Sequence, residues 1–202
     1  MNEEKLLKLF RDSGALQHGH FQLSSGLHSD VYFQSALVLQ NPDGAEVIGR
    51  ALGAVLRSVH PDVVVGPALG GIIIGWEVAR ALDVRGLFTE RKDGEMMLRR
   101  GFRLEKGERV IVIEDVVTTG RSTRETIAAL SAAGGEVVGV GAIVDRSRAD
   151  PAFGVPFRSL LRLPVEAWEP EDCPRCKEGV PIAKPGSRPD PVKASVTDPP
   201  RP

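Results

Sequence analysis

Short apolar runs alternate with stretches of helical periodicity through the middle of the chain, and this alternation constrains the fold more than any other feature. Residues 62–65, 85–89, 109–113 and 136–144 read as strands, the first being short and continuously apolar after Asp62. Between them, residues 43–58, 71–82 and 122–133 read as helices. In the first of these, Val47, Ile48, Ala51, Leu52 and Val55 recur at helical spacing. Strands alternating with helices imply an α/β fold, a parallel sheet flanked by helices on both faces. Upstream, residues 3–13 form an amphipathic helix with Leu6, Leu7 and Phe10 on one side, ended by Gly14. Residues 20–39 carry β-favouring side chains around a Ser-Ser-Gly turn and read as a hairpin or pair of strands ending near Leu39.

The chain has 202 residues, enough for one domain with appendages. That domain is expected over 1–168, including a small N-terminal hood of about 1–40. Nine of the 15 prolines lie from Pro170 onward with few large apolar residues among them, so 169–202 is expected to be a flexible tail. No apolar run approaches the ~20 residues of a membrane span, and the opening residues lack the apolar core of a signal peptide. The expected compartment is the cytoplasm, with no membrane partner. A formal net charge of −1 gives no global attraction to nucleic acid, which is not an expected partner.

The most informative segment is VIVIEDVVTTGRS, residues 110–122: four apolar residues, two adjacent acids, then a hydroxyl-rich loop opening a helix. In open α/β sheets, ligands bind beyond the carboxyl ends of strands, where a following helix presents free N–H groups to an anion. Thr118, Thr119 and Ser122 add hydroxyl donors, and Gly120 lets the backbone approach a phosphate. Glu114 and Asp115 would repel phosphate unless hydroxyls or a cation intervene. A sugar supplies hydroxyls, and Mg²⁺ is commonly held by carboxylates together with substrate phosphates. Loop and acids together point to a phosphorylated ribose. A Walker loop and a GxGxxG turn are both absent.

This segment resembles the phosphoribosyl pyrophosphate (PRPP) motif of type I phosphoribosyltransferases. The resemblance implies that fold, with a basic hairpin loop, and a reaction in which a base nitrogen displaces pyrophosphate from the ribose anomeric carbon. It assigns Glu114 and Asp115 to the ribose hydroxyls, with Asp115 as the main catalytic group. Residues Val116, Val117, Thr118, Thr119, Gly120, Arg121 and Ser122 then surround the ribose and its 5′-phosphate. A second turn, VGPALGGI (65–72), matches the loop that contacts pyrophosphate through Ala68, Leu69, Gly70 and Gly71, although glycine turns between strands and helices are common. Gly70 stands where many members have a lysine. Residues 90–103, ERKDGEMMLRRGFR, read either as a clamp on pyrophosphate or as a solvated hairpin. Arg91 and Lys92 match the start of a mobile loop that, in orotate-using members, reaches the other subunit's site, which implies a homodimer. The loop lacks their later Lys and His, for which Arg99 or Arg100 are candidate substitutes.

Three matches point to the orotate-using members. FQLSSGLHSDVYFQSALV resembles their early segment, placing Tyr32 and Phe33 beside the pyrimidine, with Ser24 where a lysine is common; both aromatics also fit a role as core residues. IVDRS assigns Arg146 to the orotate carboxylate or, alternatively, to capping a strand. Thr118 would also contact the ring. The implied reaction is orotate plus PRPP giving orotidine 5′-monophosphate plus pyrophosphate, with Mg²⁺. A purine-base transferase and a PRPP-sensing regulator remain the other readings.

Cys173 and Cys176, in CPRC, have no second cysteine pair to complete a four-ligand zinc site. They read as a surface turn or a partial metal site shared between subunits. His18, His20 and His28 read as surface groups without a role.

Overall fold

In the computed structural model, which describes residues 1–23 and 25–185, the elements follow in the order α1 (Glu3–Asp12), β1 (Leu16–Gln22), β2 (His28–Phe33), α2 (Ser35–Leu39), α3 (Pro42–Leu56), β3 (Val63–Pro67), α4 (Gly70–Leu82), β4 (Arg85–Lys92), β5 (Glu95–Leu98), β6 (Arg109–Val117), α5 (Arg121–Ala132), β7 (Glu136–Asp145), β8 (Phe157–Arg162) and α6 (Pro174–Lys177). Helix starts follow local chemistry. The Asn2 side chain accepts from the Lys5 N–H, and Asn41 accepts from the N–H groups of Asp43 and Gly44, with Pro42 in the first turn.

The chain divides into two compact units, residues 1–17 with 33–165, and residues 18–32 with 166 onward. The first holds a six-stranded sheet in the order β5-β4-β3-β6-β7-β8. All neighbours are parallel except β4 and β5, which pair antiparallel. Its centre is dry: Val63, Val64 and Val65 of β3 and Val110, Ile111, Val112 and Ile113 of β6 are fully buried. That is the burial of a strand covered on both faces. The chain passes from β3 through α4 to β4 on one side of the sheet's midline, and from β6 through α5 to β7 on the other. Right-handed crossovers in opposite directions put α4 and α5 on opposite faces. They also leave a crevice at the carboxyl ends of β3 and β6, the point where such sheets bind ligands.

Three features depart from the sequence expectation. Residues 35–39 form α2 rather than a strand, because Ser35, Val38 and Leu39 are buried at i, i+3 and i+4. β6 runs past Ile113 to Val117, since Glu114, Val116 and Val117 continue the ladder with Ala142, Val144 and Asp145 of β7. The acids therefore lie in the strand, not in the loop. The basic excursion, in contrast, is the expected hairpin, with Asp93 and Gly94 both at positive φ (53° and 90°) between β4 and β5. β8 was not anticipated.

In the second unit β1 and β2 pair as a two-stranded sheet. The segment expected to be a free tail is hydrogen-bonded to it as far as Ala183. Trp168 and His28 exchange backbone bonds at 2.8 and 2.9 Å, and the Ala183 N–H donates to the His20 carbonyl at 2.8 Å. The rest of that expected tail, 186–202, and Ser24 lie outside the described residues.

Candidate active site

Strand alternation gives the two acids of β6 different fates. Glu114 is buried, and its Oε1 accepts from the Ser122 hydroxyl at 2.7 Å and the Thr123 hydroxyl at 3.3 Å, both in the first turn of α5. Burial pushes its carboxyl up to about 7; the Asp115 charge pushes the same way, and the two hydroxyls oppose it. Asp115, one residue on, is partly exposed. Its Oδ1 accepts from the Val116 N–H at 2.8 Å, and its Oδ2 accepts from the Ser35 hydroxyl at the start of α2. Gly70 lies against the same carboxylate: a Cβ there would stand 2.5 Å from the Asp115 carboxyl carbon. The absence of a side chain at 70 is thus matched to this placement of Asp115.

Gly70 belongs to the turn after β3. The Ala68 N–H donates to the Thr89 carbonyl of β4 at 2.7 Å, and the Ala68–Leu69 peptide is cis. This turn and the one after β6 meet at the crevice. There, Gly120 takes φ +71°, and a Cβ on it would come within 2.7 Å of the Phe153 ring, so both conformation and space favour glycine. The Thr119 carbonyl accepts from the Arg124 guanidinium at 3.0 Å, which closes the loop from the helix side. A cavity of about 520 Å³ is lined by Arg91, Gly94 and residues 116–123. It opens at the α5 N-terminus, with the hydroxyls of Thr118 and Thr119 in its wall, the makings of an anion site.

The basic hairpin contributes unevenly. Arg91 reaches this cavity and is held by Glu125 of α5, whose carboxyl is held below its usual range by hydrogen bonds first from Arg91 and then from Arg121. Arg99 and Arg100 pair instead with Glu90, at 3.2 and 3.0 Å, and Arg100 lies over the Phe88 ring. Lys92 is exposed.

Arg146 follows the last residue of β7, and its N–H donates to the Val117 carbonyl at 2.8 Å, which fixes it beside the loop after β6. The preceding Asp145 is buried, and its Oδ1 accepts from both the N–H and the hydroxyl of Ser147, at 2.8 and 2.5 Å. This turn aims the Arg146 segment, and sequence reasoning missed both Asp145 and Ser35. The IVDRS run contained the signal for Asp145; for Ser35 there was none, because its partner is 80 residues away.

The two aromatics proposed for the base part company. Phe33 is 5% exposed and packs edge-on against Phe10 with centroids 4.8 Å apart, which favours its alternative role as a core residue. Adjacent strand residues face opposite ways, so the two rings do not lie on one face of β2. Tyr32 belongs to the other unit and packs at a tilt on Phe21, centroids 5.6 Å apart.

A parallel sheet bearing two glycine-containing turns at its switch point, one preceded by paired acids, defines a phosphoribosyl-transfer fold. Residues 35–152 match the phosphoribosyl transferase domain family. Orotate phosphoribosyltransferase from Caldanaerobacter subterraneus subsp. tengcongensis is 53% identical over 93% of this chain and 99% of its own. The orotate phosphoribosyltransferase of Aeropyrum pernix superposes with TM-score 0.65 at 28% identity, over 78% of this chain and 93% of that one. That of Mycobacterium tuberculosis, solved with PRPP, gives 0.64 at 29% identity over 79% and 94%. The chain belongs to the phosphoribosyltransferase family and, within it, to the orotate phosphoribosyltransferases.

Proposed function

We propose that the chain transfers the phosphoribosyl group of PRPP to orotate, releasing pyrophosphate and forming orotidine 5′-monophosphate. The observation that carries this is the convergence of Asp115, Gly70 and the loop of 118–122 at one crevice. In this reading the 5′-phosphate sits on the N–H groups of 119–122 and the hydroxyls of Thr118 and Thr119. Asp115, partly exposed and fixed by Ser35 and Val116, receives the ribose hydroxyls and faces the positive charge that grows on the ribose as pyrophosphate departs. Glu114 acts from beneath: by holding Ser122 and Thr123 it sets the loop's shape. The turn of 68–71 and Arg91 take the pyrophosphate, with Lys92 near it. Arg146 and Thr118 take the base, the guanidinium pairing with the orotate carboxylate.

The crevice offers hard oxygen donors, the Asp115 carboxylate and the threonine hydroxyls, which suit Mg²⁺ held largely through substrate. When bound, Mg²⁺ would neutralise pyrophosphate charge and help it leave. No helix among the described residues is long and apolar enough to cross a membrane.

The reading includes a homodimer in which the hairpin of 90–103 serves the partner's site. Support comes from Leu69, Ile73 and Trp76, which form one stripe at i, i+4 and i+7 and are 85, 47 and 62% exposed. An apolar stripe of this kind beside the pyrophosphate turn suits a second copy of the chain. Arg91 already reaches its own chain's cavity, so a cross-subunit contact falls to Lys92. Sedimentation of Trp76→Glu against the parent chain checks this; an unchanged dimer would place the interface elsewhere.

The activity test mixes purified protein with PRPP and Mg²⁺ and offers orotate, uracil, adenine, guanine, hypoxanthine or nicotinate singly, with pyrophosphate release as the readout. Release with orotate alone is expected. Release with another base keeps the PRPP site and removes the pyrimidine assignment, and no release with any base brings the regulator reading forward.

A further inference from the structure

The second unit contains a cluster that phosphoribosyl transfer does not use. His20 on β1, His28 on β2, and Cys173 and Cys176 flanking the start of α6 bring one ligand atom each to a single point, all within 4.8 Å of one another. The individual separations are 3.1 Å between His20 Nε2 and His28 Nδ1, 3.5 and 3.6 Å from His20 Nε2 to the two sulfurs, and 3.3 Å from His28 Nδ1 to Cys176 Sγ. A tetrahedron built on zinc–sulfur bonds of ~2.3 Å and zinc–nitrogen bonds of ~2.05 Å has N···N edges of roughly 3.3 Å and N···S edges of roughly 3.6 Å. These four of the six edges match that tetrahedron to within a few tenths of an ångström, and the other two are no longer than 4.8 Å. Both histidines and Cys173 are buried, contrary to the expectation that the histidines lie on the surface, and the cysteines' missing second pair is supplied by imidazoles.

The surroundings are arranged as an outer shell. His20 Nδ1 lies 2.8 Å from the Val180 carbonyl, to which it donates, and this tautomer leaves Nε2 as a lone-pair donor aimed into the cluster. Backbone bonds hold the three segments in register: His28 with Trp168, His20 with Ala183, and the Lys177 N–H on the Cys173 carbonyl closing the Cys-Pro-Arg-Cys turn.

We propose that His20, His28, Cys173 and Cys176 bind one zinc ion that staples the 166–185 segment to the β1–β2 hairpin. Two sulfur and two nitrogen ligands in a tetrahedron select zinc, or an iron–sulfur cluster, over magnesium or calcium. The Rieske alternative is excluded by size, because its histidines and cysteines bind different irons and could not approach within single-ion contact distance. Four protein ligands leave no open position, so the role is structural and the ion is not a second catalytic metal. The binding free energy of such an ion is folding free energy for the segments it joins.

The test measures metal content of the full chain, purified without chelator, by mass spectrometry of the elements. About one zinc per chain is expected. Cys173→Ser/Cys176→Ser should lose it, and His20→Ala should weaken binding by more than the ~10–100-fold typical of an outer-shell loss. Should these variants fail to fold, the parent chain is stripped and titrated with Co²⁺. The proposal expects the intense visible bands of a tetrahedral site together with thiolate-to-cobalt charge transfer. Either of two results overturns it: a parent chain that carries no zinc and gives no thiolate–cobalt bands, or zinc retained in full by the double cysteine variant. A Cys173–Cys176 disulfide in protein purified under reducing conditions would also overturn it. None of these readouts depends on turnover, so the result stands apart from the fate of the orotate assignment.

Discussion

The segment of 114–122, which is the end of β6 with the loop and helix start that follow it, and the cluster of His20, His28, Cys173 and Cys176 are both concentrations of ligand groups, assembled in opposite ways. The segment takes nearly all its chemistry from nine consecutive residues, because a strand that turns directly into a helix keeps sequence neighbours as spatial neighbours. The cluster takes four residues from three segments, with cysteines about 150 positions from the histidines. Its members mean little until the backbone pairing of 168 and 183 with the hairpin brings them together. A contiguous site tolerates error in the predicted fold, whereas a dispersed one depends on every pairing. Even the contiguous segment is not self-sufficient, since Ser35 and Gly70 place Asp115 from outside it.

Four substitutions bear on how contiguous the first site is. The largest effect is expected for Asp115→Asn, a fall in kcat of roughly 10²–10³-fold, as for loss of one preorganised transition-state group, with PRPP affinity changed far less. Pyrophosphate release and equilibrium binding measure the two, and unchanged turnover would mean the acid pair is misassigned. Next is Gly70→Ala, whose methyl group must push the Asp115 carboxylate aside. Misplacement of about 1 Å can cost up to ~10²-fold in kcat, here with little loss of stability. A fully active Gly70→Ala enzyme would show that the loop needs no help from the β3 turn.

Glu114→Gln sharpens the point through pH. The folded carboxyl is raised from 4.5 to about 7, so its contribution to stability is fully present below pH 4.5 and is lost as pH rises through 7. Each pH unit in that window costs ~1.4 kcal/mol, up to roughly 3 kcal/mol in all. Glutamine keeps an oxygen for Ser122 and removes the titration, so thermal unfolding of the variant should vary less from pH 5 to 8 than that of the parent. Parallel curves would argue against a titrating buried Glu114. The smallest of the four is Arg146→Ala, expected to raise KM for orotate by roughly 10–100-fold through loss of a charged hydrogen bond, with KM for PRPP nearly unchanged. Equal effects on both would make Arg146 a strand cap.

Much of the scaffold was legible without coordinates. The apolar runs at 62–65 and 109–113 and the helical spacing at 43–58 fell within a few residues of the observed elements, because fully buried strands and amphipathic helices announce themselves by period. The extent of β6 was missed, since Glu114 in a buried ladder contradicts the apolar pattern and is tolerated only with hydroxyls beneath it. Phe33 kept two readings in the sequence because Tyr-Phe is silent about which of the pair faces inward, and its packing on Phe10 favours the core one.

The sequence by itself determined the α/β class, the phosphate loop with its acids, and the transferase family, all of which depend on residues close together along the chain. Only the tertiary structure decided the order of the strands, and hence that the turns after β3 and β6 share one crevice. It alone separated the buried Glu114 from the partly exposed Asp115 and brought two histidines to two cysteines. These depend on long-range pairing, and a one-residue change of register in a strand would turn every side chain to the other face.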